Sequence, residues 1–221
     1  MGISKKQTEK NKQAILAAAA RLFRERGVDA VGLSEIMRAA GFTHGGFYNH
    51  FQSKDALVAE VVATAMTRVN ENLCDAIAKP LAANDASRFA RQIKYYLSTH
   101  HRDDAQRTCA LAALAPDARR LGKEAQGSYA QGLDATLDQL ASIVEGDRSL
   151  KTVHETPRDR AIALYSQMLG ALVLSRAVAS ANQPLADEIL NASRKDLLRA
   201  VGDETEKSKA RRRRGNRKSP P

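Results

Sequence analysis

The chain of 221 residues has no tryptophan, two cysteines, six prolines and only 5% aromatic residues. No stretch alternates apolar with polar residues at period 2, which argues against a strand-rich fold. The cysteines, Cys74 and Cys109, are far apart, which argues against a disulfide framework and favours a reducing compartment. Hydrophobic residues make up 43% of the chain, and alanine is frequent. We therefore predict an all-α protein with a sizeable core.

Long hydrophobic runs are also missing. Apolar runs such as 168–174 fall short of the roughly 20 residues that a membrane span needs. The alanine-rich stretch 14–20 is followed at once by "RLFRERG", which is typical of a helix and not of a secretory signal. We expect no membrane partner and a cytoplasmic, nucleoid-associated location.

Positive charge is concentrated at the C-terminus. The formal net charge is +10, of which Lys and Arg in residues 207–221 contribute +8, leaving +2 for residues 1–206. Like charges among Gly, Asn, Ser and Pro are typical of a solvated, disordered segment. We predict that residues 203–221 form a basic disordered tail, which would add nonspecific attraction to polyanions.

The N-terminal part predicts short helices in succession. Apolar residues recur at helical spacing over Thr8 to Arg26, with Gly27 as a stop, and a second helix is expected over Leu33 to Ala40. The stretch "GFTHGGFYNHF", residues 41–51, then places two glycines inside a third helix, expected over 43–51. Each glycine costs a helix about 1 kcal/mol relative to alanine. Such a cost suggests that another molecule approaches this backbone.

The second and third helices, joined by a tight turn, form a predicted helix-turn-helix, whose second helix enters the major groove. Phe47 and Phe51 share one face at i and i+4 and should be buried, whereas Tyr48 and Asn49 lie on the opposite face. Thr43 is a suitable N-cap, and asparagine is suited to adenine. The predicted DNA-binding residues are Thr43, His44, Gly45, Gly46, Tyr48, Asn49, His50 and Lys54.

Beyond Ser53, which should cap a long helix, five more helices are expected. Their predicted bounds are Ala86 to His100, Asp104 to Leu114 with a stop at Pro116, Ala118 to Glu145, Pro157 to Ala181, and Pro184 to Val201. Segment 146–156 is predicted to be a loop. The last two helices carry more apolar residues than one buried face requires. This surplus suggests that the helices at about 157–201 pair two chains.

The stretch "AAGFTHGGFYNHFQSKDALVAEV" resembles the DNA-binding signature of the TetR family of bacterial transcriptional regulators, and the resemblance covers about residues 8–60. It implies a homodimeric, ligand-responsive repressor that a small molecule releases from its operator. The implied organisation is a helix-turn-helix DNA-binding domain at 1–53, a helical effector-binding and dimerisation domain at 54–202, and the tail at 203–221. This sequence departs from the commonest pattern at Gly32 and Gly46, where small polar residues are usual.

Other functions remain open at this point. The candidate effector-pocket residues, each equally compatible with ordinary core, are Met66, Tyr95, Tyr96, Cys109, Tyr129 and Met168. "HHRDD" at 100–104, with Cys109, allows a thiol-based sensor or a helical enzyme, but zinc-binding spacings such as HExxH are missing. We predict no catalytic set, metal or cofactor. A sequence-independent architectural role would depend on the basic tail.

Overall fold

The computed structural model describes residues 5–81, 87–104, 109–146 and 156–202. These residues are mostly helical and contain no strand, which confirms the all-α prediction. The predicted tail at 203–221 and residues 147–155 of the predicted loop lie outside the described ranges. The helices are α1 (Lys5–Arg26), α2 (Leu33–Ala39), a 3-10 helix (His44–Asn49), α3 (Lys54–Ala78), α4 (Arg88–Tyr96), α5 (Thr99–Asp103), α6 (Ala110–Ala118), α7 (Lys123–Gly146), α8 (Pro157–Ala179) and α9 (Gln183–Ala200).

The chain forms two compact units. The first comprises Met1–Leu73 with Asp104–Thr136, and the second comprises Cys74–Asp103 with Leu137–Pro221. The core of the first unit includes Ile15, Phe23, Ile36, Phe47 and Leu57. The predicted boundary after residue 53 stays a prediction.

Two glycines set the ends of the first two helices. Gly27 has φ +80° and its N–H donates to Phe23 O, so it ends α1 in the left-handed conformation that glycine adopts without strain. Gly41 has φ +83°, and Phe42 N–H donates to Met37 O across it. The chain thereby reverses sharply and begins the 3-10 helix that follows α2.

The predicted third helix is shorter and tighter than expected. It is a 3-10 helix over His44–Asn49, and Thr43 precedes it without a side-chain capping bond. The expected bounds of 43–51 are therefore wrong. Thr43 occupies the predicted N-cap position, but its side chain makes no capping hydrogen bond. Adjacent glycines weaken α-helical propensity, and 3-10 geometry is common in short pieces of this length.

The predicted helix over 86–100 is interrupted. α4 ends at Tyr96, and Ser98 Oγ accepts a hydrogen bond from His101 N–H at 3.1 Å, which starts the short α5. The Ser98 hydroxyl also donates to Tyr95 O at 2.8 Å. A serine that bonds its own backbone in this way competes with helix continuation.

The bounds predicted around α6 are also wrong. α6 begins at Ala110, not at Asp104, and Pro116 lies inside it. Proline removes one intrahelical bond near the end of a short helix, and the chain keeps helical geometry as far as Ala118. α7 then begins at Lys123, five residues after the predicted start at Ala118.

In the second unit, α8 packs along α9. Thr156 caps α8: its Oγ1 accepts from Asp159 N–H at 3.1 Å, while its own N–H donates to Asp159 Oδ2 at 3.3 Å. Asn182 Oδ1 accepts from Leu185 N–H at 3.1 Å and caps α9. The starts of these helices lie within one residue of the predicted Pro157 and Pro184.

Within the described residues, α8 is long and apolar enough to cross a membrane by length and composition alone. Helices of protein cores meet the same criterion. Here Leu164, Met168 and Leu172 are buried, while Ile162 and Leu174 are exposed.

A buried cation lies beside the α8–α9 pair. The Arg102 side chain is 1% exposed, and its guanidinium donates to Asp187 Oδ1 at 2.6 Å, to Asp103 Oδ1 at 2.6 Å and to Ser175 Oγ at 3.4 Å. The bond to Asp103, and then the bond to Asp187, raise the pKa of Arg102 although burial opposes the charge, and the bond from Arg102 lowers the pKa of Asp103. Arg102 thus ties α5 to both α8 and α9.

Candidate nucleic-acid interface

The 3-10 helix over His44–Asn49, which we call the recognition segment, has one buried and one exposed face. Phe47 is 0% exposed and its ring stacks on that of Phe51 with centroids 5.5 Å apart. Tyr48 is 64% exposed, and His44 and Asn49 are exposed beside it. The prediction that one face of the segment is buried and the other is exposed is therefore confirmed, although the segment is a 3-10 helix.

A serine of α2 holds the first histidine of this face. Ser34 Oγ lies 3.1 Å from His44 Nδ1. The rings of His44 and Tyr48 meet edge to face, with centroids 6.4 Å apart. Sequence reasoning missed Ser34, because its partner is on a different helix.

The residues predicted to contact phosphate have different surroundings. Thr43 is exposed. His50 Nδ1 is buried and has no hydrogen-bond partner among the described residues. Lys54 Nζ donates to Val28 O at 3.1 Å, so its ammonium is held against the α1–α2 turn and keeps two further N–H donors.

The two glycines of the recognition segment differ. A Cβ at Gly45 would meet no atom within 4 Å, so internal packing does not require glycine there. A Cβ at Gly46 would lie 3.7 Å from Met37 Cε, which is ordinary contact. The bare backbone at Gly45 thus faces outward beside His44.

A polar cluster, which we call the Asp117 clasp, holds the α1–α2 turn. Val28 N–H donates to Asp117 Oδ2 at 3.4 Å, and a Cβ at Gly27 would lie 3.0 Å from the same oxygen. Arg120 donates to Asp117 and, at 3.2 Å from Nε, to Asp29 Oδ2. The end of α6 is therefore bonded to the turn that precedes α2.

Three predicted effector-pocket residues belong to the first unit. Met66 is 3% exposed and lies against Gly132, and Tyr129 Oη donates to Leu111 O at 3.0 Å. Burial, with a smaller effect from the nearby Cys109, raises the pKa of Tyr129 to about 12. Cys109 is half-buried at the N-cap position of α6.

The other three belong to the second unit. Tyr95 and Tyr96 both contact the His101 ring, each with centroids 5.0 Å apart, and Tyr96 also lies 5.9 Å from the Tyr165 ring. Tyr95 is 51% exposed, whereas Met168 is fully buried. The role of all six residues stays a prediction.

The sequence "HHRDD" does not form a metal site in the described part of the chain, where no group of three His, Cys, Asp or Glu side chains could hold an ion. His100 is exposed, His101 is buried between tyrosines, and Asp103 is paired with Arg102. These three side chains therefore do not converge on one site.

The comparison with known proteins bears on the helix-turn-helix directly. Residues 15–61, which include α2 and the recognition segment, match the family model described as "Bacterial regulatory proteins, tetR family". Over these residues the chain has the DNA-binding region of the TetR family.

Two curated relatives align with the chain over different lengths. The HTH-type transcriptional regulator AcrR of Shigella flexneri is 37% identical over 68 residues, which are 31% of this chain and 32% of AcrR. The chain thus aligns with about a third of the length of this relative. The HTH-type transcriptional repressor NemR of Escherichia coli K12 is 24% identical over 172 residues, covering 75% of this chain and 84% of NemR.

Solved structures share the TetR fold over most of the chain. The crystal structure of reduced E. coli NemR has a TM-score of 0.72 at 19% identity and covers 85% of this chain and 95% of that one. FadR of Bacillus subtilis, in complex with stearoyl-CoA, has a TM-score of 0.63 at 18% identity and covers 85% and 98%. At these identities the likeness establishes the fold alone.

Proposed function

We propose that this TetR-family protein is a sequence-specific transcriptional regulator that represses by binding an operator and is released by a small molecule. The exposed face of the recognition segment is the observation that carries the proposal. Phe47 and Phe51 anchor the segment in the core, while His44, Tyr48 and Asn49 are exposed together. A rigid short element with polar side chains on one face suits readout of a groove.

Each exposed residue has a chemical role in this proposal. Asn49 can pair with adenine N6 and N7 in the major groove, and Tyr48 reaches a base edge or the adjacent backbone. Gly45 leaves room for the DNA to approach the segment. Thr43, His50 and Lys54 donate to phosphates, which position the protein without reading sequence.

The operator would be bound by two copies. Ile162, Leu174 and Leu185 on α8 and α9 are 38%, 59% and 40% exposed, and apolar side chains of this kind are buried when helices pair between chains. A dimer places two recognition segments in successive major grooves, roughly 34–36 Å apart. Leu174→Glu is expected to shift the dimer to monomer in sedimentation experiments.

Release by an effector requires a coupling free energy between the DNA site and a ligand site. FadR, whose fold is similar, binds stearoyl-CoA, which supports a small-molecule site in the helical part of this chain as well. Operator binding must then weaken effector binding by the same factor. Such a regulator would act in the cytoplasm, where the DNA is.

The test is quantitative binding to DNA from upstream of the protein's own gene, at a fixed salt concentration, with the Tyr48→Ala variant. Removal of an exposed aromatic side chain at the interface should weaken specific binding at least tenfold, about 1.4 kcal/mol. Leu81→Ala is the matched control, because Leu81 is also exposed, at 42%, but lies after α3 and outside the site.

Two outcomes would contradict the proposal. The first is equal binding of the wild type to every DNA sequence, which would favour the architectural reading. The second is specific binding that Tyr48→Ala leaves unchanged, since the recognition segment would then not be the reader. Thermal unfolding of both variants checks that neither substitution acts through the fold.

A further inference from the structure

The hydrogen bond between Ser34 and His44 joins the two helices of the helix-turn-helix. Ser34 lies on α2, and its Oγ is 3.1 Å from His44 Nδ1. The Ser34 hydroxyl has no other hydrogen-bond partner in the described part of the chain, and it does not cap α2, whose N-cap is Gly32. Its contact is therefore with the imidazole alone.

This bond decides which nitrogen of His44 is available to DNA. With Nδ1 held by Ser34, Nε2 is the remaining polar atom of an exposed ring. A hydroxyl can donate to an unprotonated Nδ1 or accept from a protonated one. Nε2 carries a proton in the imidazolium and in the neutral form whose Nδ1 accepts from Ser34. The negative field of the DNA phosphates favours a donor that faces outward.

We propose that Ser34 is a positioning residue that holds His44 so that Nε2–H donates to an acceptor on a base edge, with guanine as the preferred base. Guanine presents two acceptors, N7 and O6, in the major groove, whereas cytosine presents an amino donor. The edge-to-face contact of His44 with Tyr48 limits ring rotation from the other side. This inference rests on the proposed function, because it assigns a base preference to one residue of the same face.

The experiment is selection of preferred sites from a random double-stranded DNA library by the full-length chain. The wild type is compared with His44→Ala, Ser34→Ala and Ser34→Thr. Ser142→Ala is the matched control, because Ser142 is an exposed serine whose hydroxyl donates to Gln139 O, on α7.

His44→Ala identifies the base position that His44 reads in each half-site. At that position the wild type should prefer guanine, and Ser34→Ala should lower this preference about 3- to 10-fold, as expected for loss of one hydrogen bond. Ser34→Thr, which keeps a hydroxyl, should restore the preference, and Ser142→Ala should leave it unchanged. A general loss of fold stability would weaken binding to all sequences alike and would not change the base preference at one position.

A modified base tests the direction of the bond. Replacement of the selected guanine by 7-deazaguanine should weaken wild-type binding about 3- to 10-fold and leave Ser34→Ala and His44→Ala little changed. A sharp wild-type preference that Ser34→Ala does not alter would overturn the inference and leave the proposed function intact. Preference for cytosine at the His44 position would overturn the donor assignment, and preference for adenine or thymine would overturn the choice of guanine. A wild type without any preferred sequence would overturn both.

Discussion

The crossing of α3 and α7 at Gly132 gives the sharpest prediction of stability. A Cβ at Gly132 would lie 2.4 Å from Met66 Cβ, 2.5 Å from Cγ and 2.9 Å from Sδ. Favourable separations between carbon atoms are about 3.5–4.0 Å. Asn70 Nδ2 also donates to Gly132 O at 3.3 Å, which holds the helices together at this point. Alanine at 132 therefore requires the helices to move apart.

The magnitude follows from two opposing effects. Replacing glycine by alanine inside a helix stabilises it by up to about 1 kcal/mol. Overpacking of a filled core destabilises by about 1–3 kcal/mol, and sometimes by more. The closest clash is with Met66 Cβ, which no change of rotamer can remove. We therefore expect Gly132→Ala to be destabilised in spite of its better helix propensity.

Gly127→Ala is the matched control on the same helix, because a Cβ there would meet no atom within 4 Å. It should be stabilised by propensity alone. Because both variants gain the same propensity, they should differ in unfolding free energy by the overpacking cost of about 1–3 kcal/mol. For a protein of this size that difference corresponds to about 2–12 °C in melting temperature. Thermal unfolding by circular dichroism, at equal protein concentration, measures it. A Gly132→Ala variant as stable as Gly127→Ala would refute the close crossing.

Three further predictions concern polar groups. Asp117→Ala leaves the buried Val28 N–H without its acceptor and should lower the unfolding free energy by about 1–3 kcal/mol in denaturant titration; unchanged amide exchange at Val28 would contradict this. Asp187→Ala removes the 2.6 Å hydrogen bond from Arg102 and should lower the unfolding free energy by about 1.5–3 kcal/mol. An unchanged unfolding free energy would mean that Asp103 alone is enough to stabilise the buried Arg102. Tyr129→Phe should remove a tyrosine ionisation near pH 12 from the absorbance titration at alkaline pH. Because the folded pKa of Tyr129 is raised, its contribution favours the folded state below about pH 10 and is lost as the pH rises towards 12; a variant with an unchanged titration would refute the assignment.

Helix ends were predictable where a local feature sets them. The end of α1 and the starts of α8 and α9 agree with prediction to within one residue, because Gly27, Pro157 and Pro184 act on their own backbone. The bounds of α4 to α6 were wrong because Ser98 and Pro116 allow either continuation or a break. Tertiary contacts decide between these, and a local pattern does not contain them.

The burial pattern of the recognition segment was predictable for a similar reason. Spacing of Phe47 and Phe51 at i and i+4 predicted which face of the recognition segment is buried, since both faces belong to one short stretch. The Ser34–His44 bond joins two helices, so the pattern of either helix gives no indication of it. Gly127 and Gly132 likewise look equivalent in the sequence of α7, and only the position of Met66 separates them.

The Asp117 clasp shows why the DNA-binding part is not defined by its motif alone. Val28 N–H is bonded to a carboxylate 89 positions further along the chain, and Val28 O is bonded to Lys54. A fragment that ends at residue 53 would lack both partners and leave the N–H of the buried Val28 without its acceptor. The α1–α2 turn, which sets the entry to α2, therefore depends on α3 and α6 for its geometry.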